Sequence, residues 1–462
     1  MKGIFLNTVK FIKNKKAEKK AVKISAFRSS ENCRAALEEN AAKPDFARLH
    51  ALFERNERIT WLFAGDSVTQ GSMHTGYRCN FQELFERFIK SEFKARENDI
   101  VVNTGVSSAT SADLCTYMSD WIERPKSQAA FICFGINDCL TRKISPDEFE
   151  KNMLSAITKL RAQGSIPIIE TPSVCFCQNR MAPYIEKMRK IAEEQSVLLV
   201  DINARWLENP GAEKLLRNDS IHPNAAGHLF WCKILLKSLG LFKEYSALAK
   251  ASFRDVAFDF SARKEPEAIK KSPASDDFKK YIYNERAIVI VFTGGKTVSP
   301  LCLDLSQRNF VSHFNEAVRW ETAQNSIIQR SKAIINSAGA DSSPALIARN
   351  YNELAGKFGA DVLIYTPDLS ENDNENFSSE IKLLADAALK GGAKFAAVNP
   401  PGCSSRVAEA LKKACDEAGG IFIDCSKAGV ESGDLCTGEA QFSIGRMLSL
   451  SLADLPKGSR MI

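Results

Sequence analysis

The sequence predicts an α/β protein, a parallel sheet with helices on both faces, built twice in one chain. Short apolar runs alternate with amphipathic stretches of helical period, the pattern of βαβ units. Turns containing glycine follow the strand candidates, where open α/β sheets place their sites. After a lysine-rich interruption the same order of elements returns.

In the first copy the strands are expected at residues 59–64, 100–103, 129–134, 165–170 and 197–202. Helical spacing covers 81–93, 149–163, 183–195 and 225–239. Crossovers between parallel strands should be right-handed. Residues 246–285, rich in Lys and with two Pro in SARKEPEAIKKSPASDDFKK, read as an exposed linker. Beyond it, residues 287–292 precede a Gly-rich turn as residues 59–64 do, and residues 359–365 answer 128–134. Asn336 stands 233 residues after Asn103, Gly392 stands 228 after Gly164, and Asp424 stands 223 after Asp201. Offsets that drift so little, in unbroken order, favour a diverged internal duplication over two unrelated α/β domains. The expected organisation is a basic N-terminal extension over 1–56, a catalytic domain over 57–245, the linker, and a second domain over 286–455.

A chain of 462 residues exceeds one ordinary compact domain. Its 44% hydrophobic and 26% charged content suit a soluble globular protein. The net charge of +6 gathers in the first 30 residues and around 264–280, which leaves no nucleic-acid footprint on the expected site region. Thirteen cysteines, an odd number scattered through apolar runs, read as free thiols in a reducing compartment. Cys175-Phe176-Cys177 lacks the spacing and partners of a zinc site, so neither metal nor cofactor is expected.

Lysines interrupt the first residues too often for a signal-peptide core, and no run of 18 apolar residues occurs. A cytoplasmic protein is expected. Phe5, Leu6, Val9 and Ile12 could line one face of a helix resting on an anionic membrane surface. A solvated basic arm is the simpler reading.

Gly65-Asp66-Ser67 follows the first strand, Gly105 the second, and Gly135-Ile136-Asn137-Asp138 the third. Asp219-Ser220-Ile221-His222-Pro223 precedes the last helix. All can converge at the carboxyl edge of the sheet. A serine hydroxyl is a weak nucleophile until a base takes its proton. His222 can do so, and Asp219, three residues earlier, can fix its tautomer. The N–H groups of Ser67 and Gly105 and the amide of Asn137 could form an oxyanion hole. Taken singly, Ser67 could cap a helix, Asn137-Asp138 could shape a turn, and His222 could be a surface histidine. His74, Tyr77 and Arg78, shortly after the serine, are candidates to line the substrate pocket; for Arg78 a surface salt bridge is the plainer role. His228 is expected to pack or cap within the last helix.

Gly65-Asp66-Ser67, Gly105, Gly-x-Asn137-Asp138 and Asp219-x-x-His222-Pro223 together resemble the four blocks of the SGNH/GDSL hydrolase superfamily, over about residues 57–242. The resemblance implies a flavodoxin-like three-layer α/β/α fold and hydrolysis of esters or thioesters through a covalent acyl-enzyme. Val68-Thr69-Gln70-Gly71 is a similar but not identical form of the family's turn, and touches nothing catalytic.

The second copy lacks this set. Lys296 takes the serine's place, Ala338 that of Gly105 and Asp368 that of Asn137, and no Asp-x-x-His follows Asp424. Gly295-Lys296-Thr297 is no phosphate loop, because position 290, where that motif needs glycine, is Ile. The second domain is therefore expected to be non-catalytic. The leading expectation is a serine esterase removing a small acyl group from a carbohydrate-like or other small alcohol. The alternatives are acyl transfer on the same scaffold and a glycan- or partner-binding assembly module.

Overall fold

Trp61, Leu62 and Phe63 are wholly buried, as are Phe131 and Ile132 on the neighbouring strand. Such unbroken apolar runs are the mark of parallel strands covered on both faces. The computed structural model describes residues 30–71, 74–75, 78–142, 144–252, 289–295, 298, 308–315, 333–336, 343–426 and 438–453. Its strands are β1 (Thr60–Gly65), β2 (Ile100–Asn103), β3 (Ala129–Cys133), β4 (Ile166–Glu170) and β5 (Leu198–Val200), then β6 (Val289–Gly294), β7 (Ala333–Asn336), β8 (Val362–Thr366), β9 (Lys394–Asn399) and β10 (Ile421–Asp424).

These strands form one ten-stranded sheet in the order β10-β9-β8-β6-β7-β2-β1-β3-β4-β5. Each half has the flavodoxin-like order 2-1-3-4-5, with parallel pairing throughout. The halves meet at β2 and β7, which pair antiparallel with Val102 opposite Ile335. The carboxyl ends of the two sets of strands consequently point to opposite edges of the sheet. β6 sends Val289 and Val291 into the apolar core that runs through both halves, and Ile290 and Phe292 into a second core confined to its own half.

Helix Phe81–Glu92 starts with a capping box: Asn80 Oδ1 accepts from Glu83 N–H at 3.1 Å and Glu83 Oε2 accepts from Asn80 N–H at 2.8 Å. Phe81, Leu84, Phe85, Phe88 and Ile89 then repeat at helical spacing and are buried. The N–H of Phe81 donates to His228 Nδ1 at 3.2 Å, so His228 is a buried cap for this helix rather than for its own. The other half has the same local arrangement. Asn309 Oδ1 accepts from Ser312 N–H at 3.0 Å, and the N–H of Phe310 donates to Gln441 Oε1 at 2.8 Å.

Helix Gln178–Glu194 starts before the expected residue 183 and carries Pro183 inside it, past the first turn, where the missing N–H leaves Asn179 O without its i→i−4 donor. Helices Ser30–Ala41 and Pro44–Glu54 precede the sheet, where the sequence suggested no elements. Asn40 covers the edge strand β5: it accepts from Leu199 N–H at 2.9 Å and donates to Leu199 O at 2.8 Å. No described helix is long and apolar enough to cross a membrane. Most of the expected linker, residues 253–285, lies outside the described residues, as does the basic segment 1–29.

Candidate active site

The crevice of a 2-1-3-4-5 sheet opens at the carboxyl ends of β1 and β3, where the strand order reverses. β1 delivers Gly65-Asp66-Ser67 there. The Asp66 carboxylate caps the short helix Ser67–Gln70 by accepting from Val68 N–H at 2.9 Å, which puts Ser67 in its first turn. Gly65 and Gly105 are glycine for lack of room. A Cβ on Gly65 would lie 2.6 Å from Cys133 O, and one on Gly105 would lie 2.5 Å from Gln70 N. The chain leaving β2 therefore lies directly against the serine turn.

Ser67 Oγ is 2.8 Å from His222 Nε2, and His222 Nδ1 is 2.9 Å from Asp219 Oδ2. The other Asp219 oxygen accepts from Ile221 N–H and His222 N–H, both at 2.9 Å. Ser220 takes a left-handed φ of 58° to close this turn. Its carbonyl accepts from Phe176 N–H at 3.0 Å, and Arg217 N–H donates to His222 O at 2.8 Å. Burial pushes the Asp219 carboxyl up, but the bonds from the His222 ring and from the backbone outweigh it and bring the group down to about 2. Asp219 is thus ionised at neutral pH and holds the His222 N–H on Nδ1, leaving Nε2 to accept from Ser67.

The donors expected around an oxyanion stand as follows. No described group accepts from Ser67 N–H. Gly105 N–H donates to Asn103 Oδ1 at 2.9 Å. Asn137 Nδ2 donates to Ala109 O at 3.0 Å and lies 3.5 Å from Asp66 Oδ2. Asp66 is fully buried, and desolvation raises its carboxyl to about 6. Asp138 accepts from Ser111 N–H at 3.0 Å at the start of the helix Ser111–Thr116, which Thr110 caps, so it braces the third block from behind.

His74 stacks on the His222 ring, centroids 4.0 Å apart and planes 30° apart. Burial, followed by the neighbouring charges, holds His74 well below the usual histidine range. Arg78 N–H closes a turn onto Thr75 O at 3.3 Å. Tyr77, Lys296 and Ala338 lie outside the described residues. Asp368 sits against Gly295: a Cβ on that glycine would lie 2.3 Å from Asp368 Cγ, so the carboxylate fills the space that Asp66 occupies in the first half.

Sequence reasoning missed Asn103, whose amide donates to Thr69 O at 2.9 Å while its oxygen holds Gly105 N–H. Its place before Gly105 at the end of β2 was the available signal. Phe176, which carries the Ser220 carbonyl, gave no signal beyond its apolar character. The ten cysteines whose side chains are described are free, eight of them buried.

The sheet order defines an α/β protein of the flavodoxin-like kind, with the serine–histidine–aspartate contacts at the crevice where its strand order reverses. Residues 63–229 match the model of the GDSL-like lipase/acylhydrolase family, and the match supports a carboxylic ester hydrolase. It is 27% identical over 211 residues to an acetylxylan esterase of Geobacillus stearothermophilus, covering 39% of this chain and 93% of that one. Among solved structures it is similar to an α/β-hydrolase enzyme from the metagenome of Lake Arreo, Spain (23% identity, TM-score 0.36, 41% of this chain and 99% of that one). A lipase/acylhydrolase from Enterococcus faecalis is also similar (20% identity, TM-score 0.34, 41% and 100%).

Proposed function

We propose that Ser67 is the nucleophile of a serine esterase, with His222 as its general base and Asp219 as the orienting acid. The observation that carries this reading is the unbroken chain of short contacts from Ser67 Oγ through both nitrogens of His222 to Asp219. Ser67 Oγ attacks the ester carbonyl as His222 Nε2 takes its proton. The oxyanion forms beside Ser67 N–H, with Gly105 N–H and the Asn137 amide turning from their present acceptors towards it. Collapse expels the alcohol with the proton from His222. Water, activated by the same imidazole, then releases the acid and restores Ser67.

The substrate is a small acyl ester, an acetyl group on a saccharide hydroxyl being the favoured case. Support comes from the likeness to the acetylxylan esterase. The two halves descend from an internal duplication, in which the second has lost its nucleophile and base. The repeated 2-1-3-4-5 order and the repeated Asn cap support this.

The test compares wild type with Ser67→Ala on p-nitrophenyl acetate, then on acetylated xylo-oligosaccharides and on longer acyl esters. Loss of turnover in the variant with unchanged circular dichroism is expected, together with a preference for acetyl. Turnover undiminished in the variant removes Ser67 from the mechanism. A preference for long acyl chains removes the substrate assignment alone.

A further inference from the structure

We propose that the second half positions the hydrolytic site of the first through Arg308, so that hydrolysis at Ser67 depends on both halves. This inference rests on the reading of Ser67, His222 and Asp219 given above.

Arg308 stands on a firm base in its own half. The next residue, Asn309, caps residues 310–315 and donates to Val298 O at 3.0 Å. Phe310 is held by Gln441, and Phe310 and Phe314 are buried in the second half's core. From there the arginine crosses to the first half, with its side chain only 3% exposed. Nε donates to Glu83 Oε2 at 2.9 Å, and Nη2 lies 3.5 Å from Gly71 O.

Both contacts bear on the site. Gly71 ends the serine turn: its φ of 70° is left-handed, and its N–H donates to Ser67 O at 2.9 Å. Glu83 closes the capping box with Asn80. The chain between Gly71 and Asn80 carries His74, whose ring lies on His222. One guanidinium thus contacts Gly71 before His74 and Glu83 after it. A planar, forked donor set holds a carboxylate and a carbonyl in fixed directions, whereas a lysine ammonium presents three rotatable donors from one point. The Arg308 charge is also among the influences that disfavour protonation of His74 and of His228. A neutral His74 leaves His222 free to become imidazolium without a cation stacked upon it.

A passive second half makes the opposite demand. The inter-half contacts at Arg124, which donates to Gly359 O at 2.9 Å and Asp361 Oδ2 at 3.1 Å, would then hold the halves together, and Arg308 would be dispensable for turnover.

The full chain is tested as wild type, Arg308→Lys, Arg308→Met, and the double variant Glu83→Gln/Arg308→Met, which removes both charges of the pair should Arg308→Met alone fail to fold. The readouts are kcat and KM on p-nitrophenyl acetate and the rate of fluorophosphonate labelling at Ser67. Expected are a fall of at least about tenfold in kcat and in labelling rate for Arg308→Met and the double variant, KM within about twofold, and partial recovery in Arg308→Lys. Folded Arg308→Met or double variant that labels at the wild-type rate overturns the inference. A wild type that is not labelled at Ser67 instead overturns the reading on which it rests.

Discussion

The ring of His74 lies against the ring of His222, centroids 4.0 Å apart, and its own Nδ1 has no hydrogen-bond partner among the described residues. A flat, neutral neighbour restricts rotation of the base while both its nitrogens stay engaged with Ser67 and Asp219. Removing it with His74→Ala should lower kcat on p-nitrophenyl acetate by about 10-fold, as expected for lost positioning of a catalytic group. His74→Phe should recover most of that loss, because a ring is restored without a charge. Equal losses in the two variants would show that the imidazole acts as something other than a stacking face.

Asp219→Asn should reduce kcat by about 10⁴-fold, since an amide no longer selects the tautomer that leaves Nε2 free to accept. With the Asp219 carboxyl at about 2, wild type keeps this charge throughout ordinary assay conditions. The deficit should therefore be present from neutral pH upward, where Asp219 is charged and the imidazole acts as a base. Steady-state rates at about pH 7 and above check it, and an Asp219→Asn variant that turns over at the wild-type rate there would contradict it.

Gly105→Ala should destabilise the fold by about 1–3 kcal/mol in urea unfolding. The new methyl would meet Gln70 N at 2.5 Å and the Thr69 carbonyl carbon at 2.8 Å, backbone atoms of the serine turn that cannot swing aside. Labelling of Ser67 should slow in the same variant. Wild-type stability would mean that β2 and the serine turn are free to separate.

Glu170 ends β4 fully buried, with the Trp231 indole N–H donating to it at 3.2 Å. Burial raises its carboxyl to about 8, against the smaller pull of that hydrogen bond. A folded-state value above the unfolded one means that the contribution is fully present below about pH 4.3 and is lost as pH rises to about 8. Glu170→Gln, which can still accept from Trp231, should have its melting temperature rise relative to wild type across that interval. A constant difference between the two proteins would contradict it.

The apolar runs and their turns made the strands legible in both halves, because buried parallel strands need residues such as Trp61, Phe63, Val289 and Val291 whatever lies around them. Ser67, His222 and Asp219 were legible because each follows or precedes a strand or helix at a fixed offset. Contacts between distant segments left no such trace. Nothing local in Val101, Val102 or Asn103 announces that β2 pairs antiparallel with Ile334 and Ile335. The stacking of His74 on His222 and the reach of Arg308 to Glu83 depend equally on folding that brings separate turns together. Helices Ser30–Ala41 and Pro44–Glu54 follow a lysine-rich stretch but hold no lysine themselves, and nothing local to Asn40 announces that it will cover an edge strand.

Ester hydrolysis through Ser67 in the first half is tested most directly by mass-spectrometric mapping of the fluorophosphonate adduct on the full chain. One adduct is expected, on the peptide containing Ser67, absent from Ser67→Ala and from every peptide of the second half. An adduct on another residue, or undiminished labelling of Ser67→Ala, would contradict it.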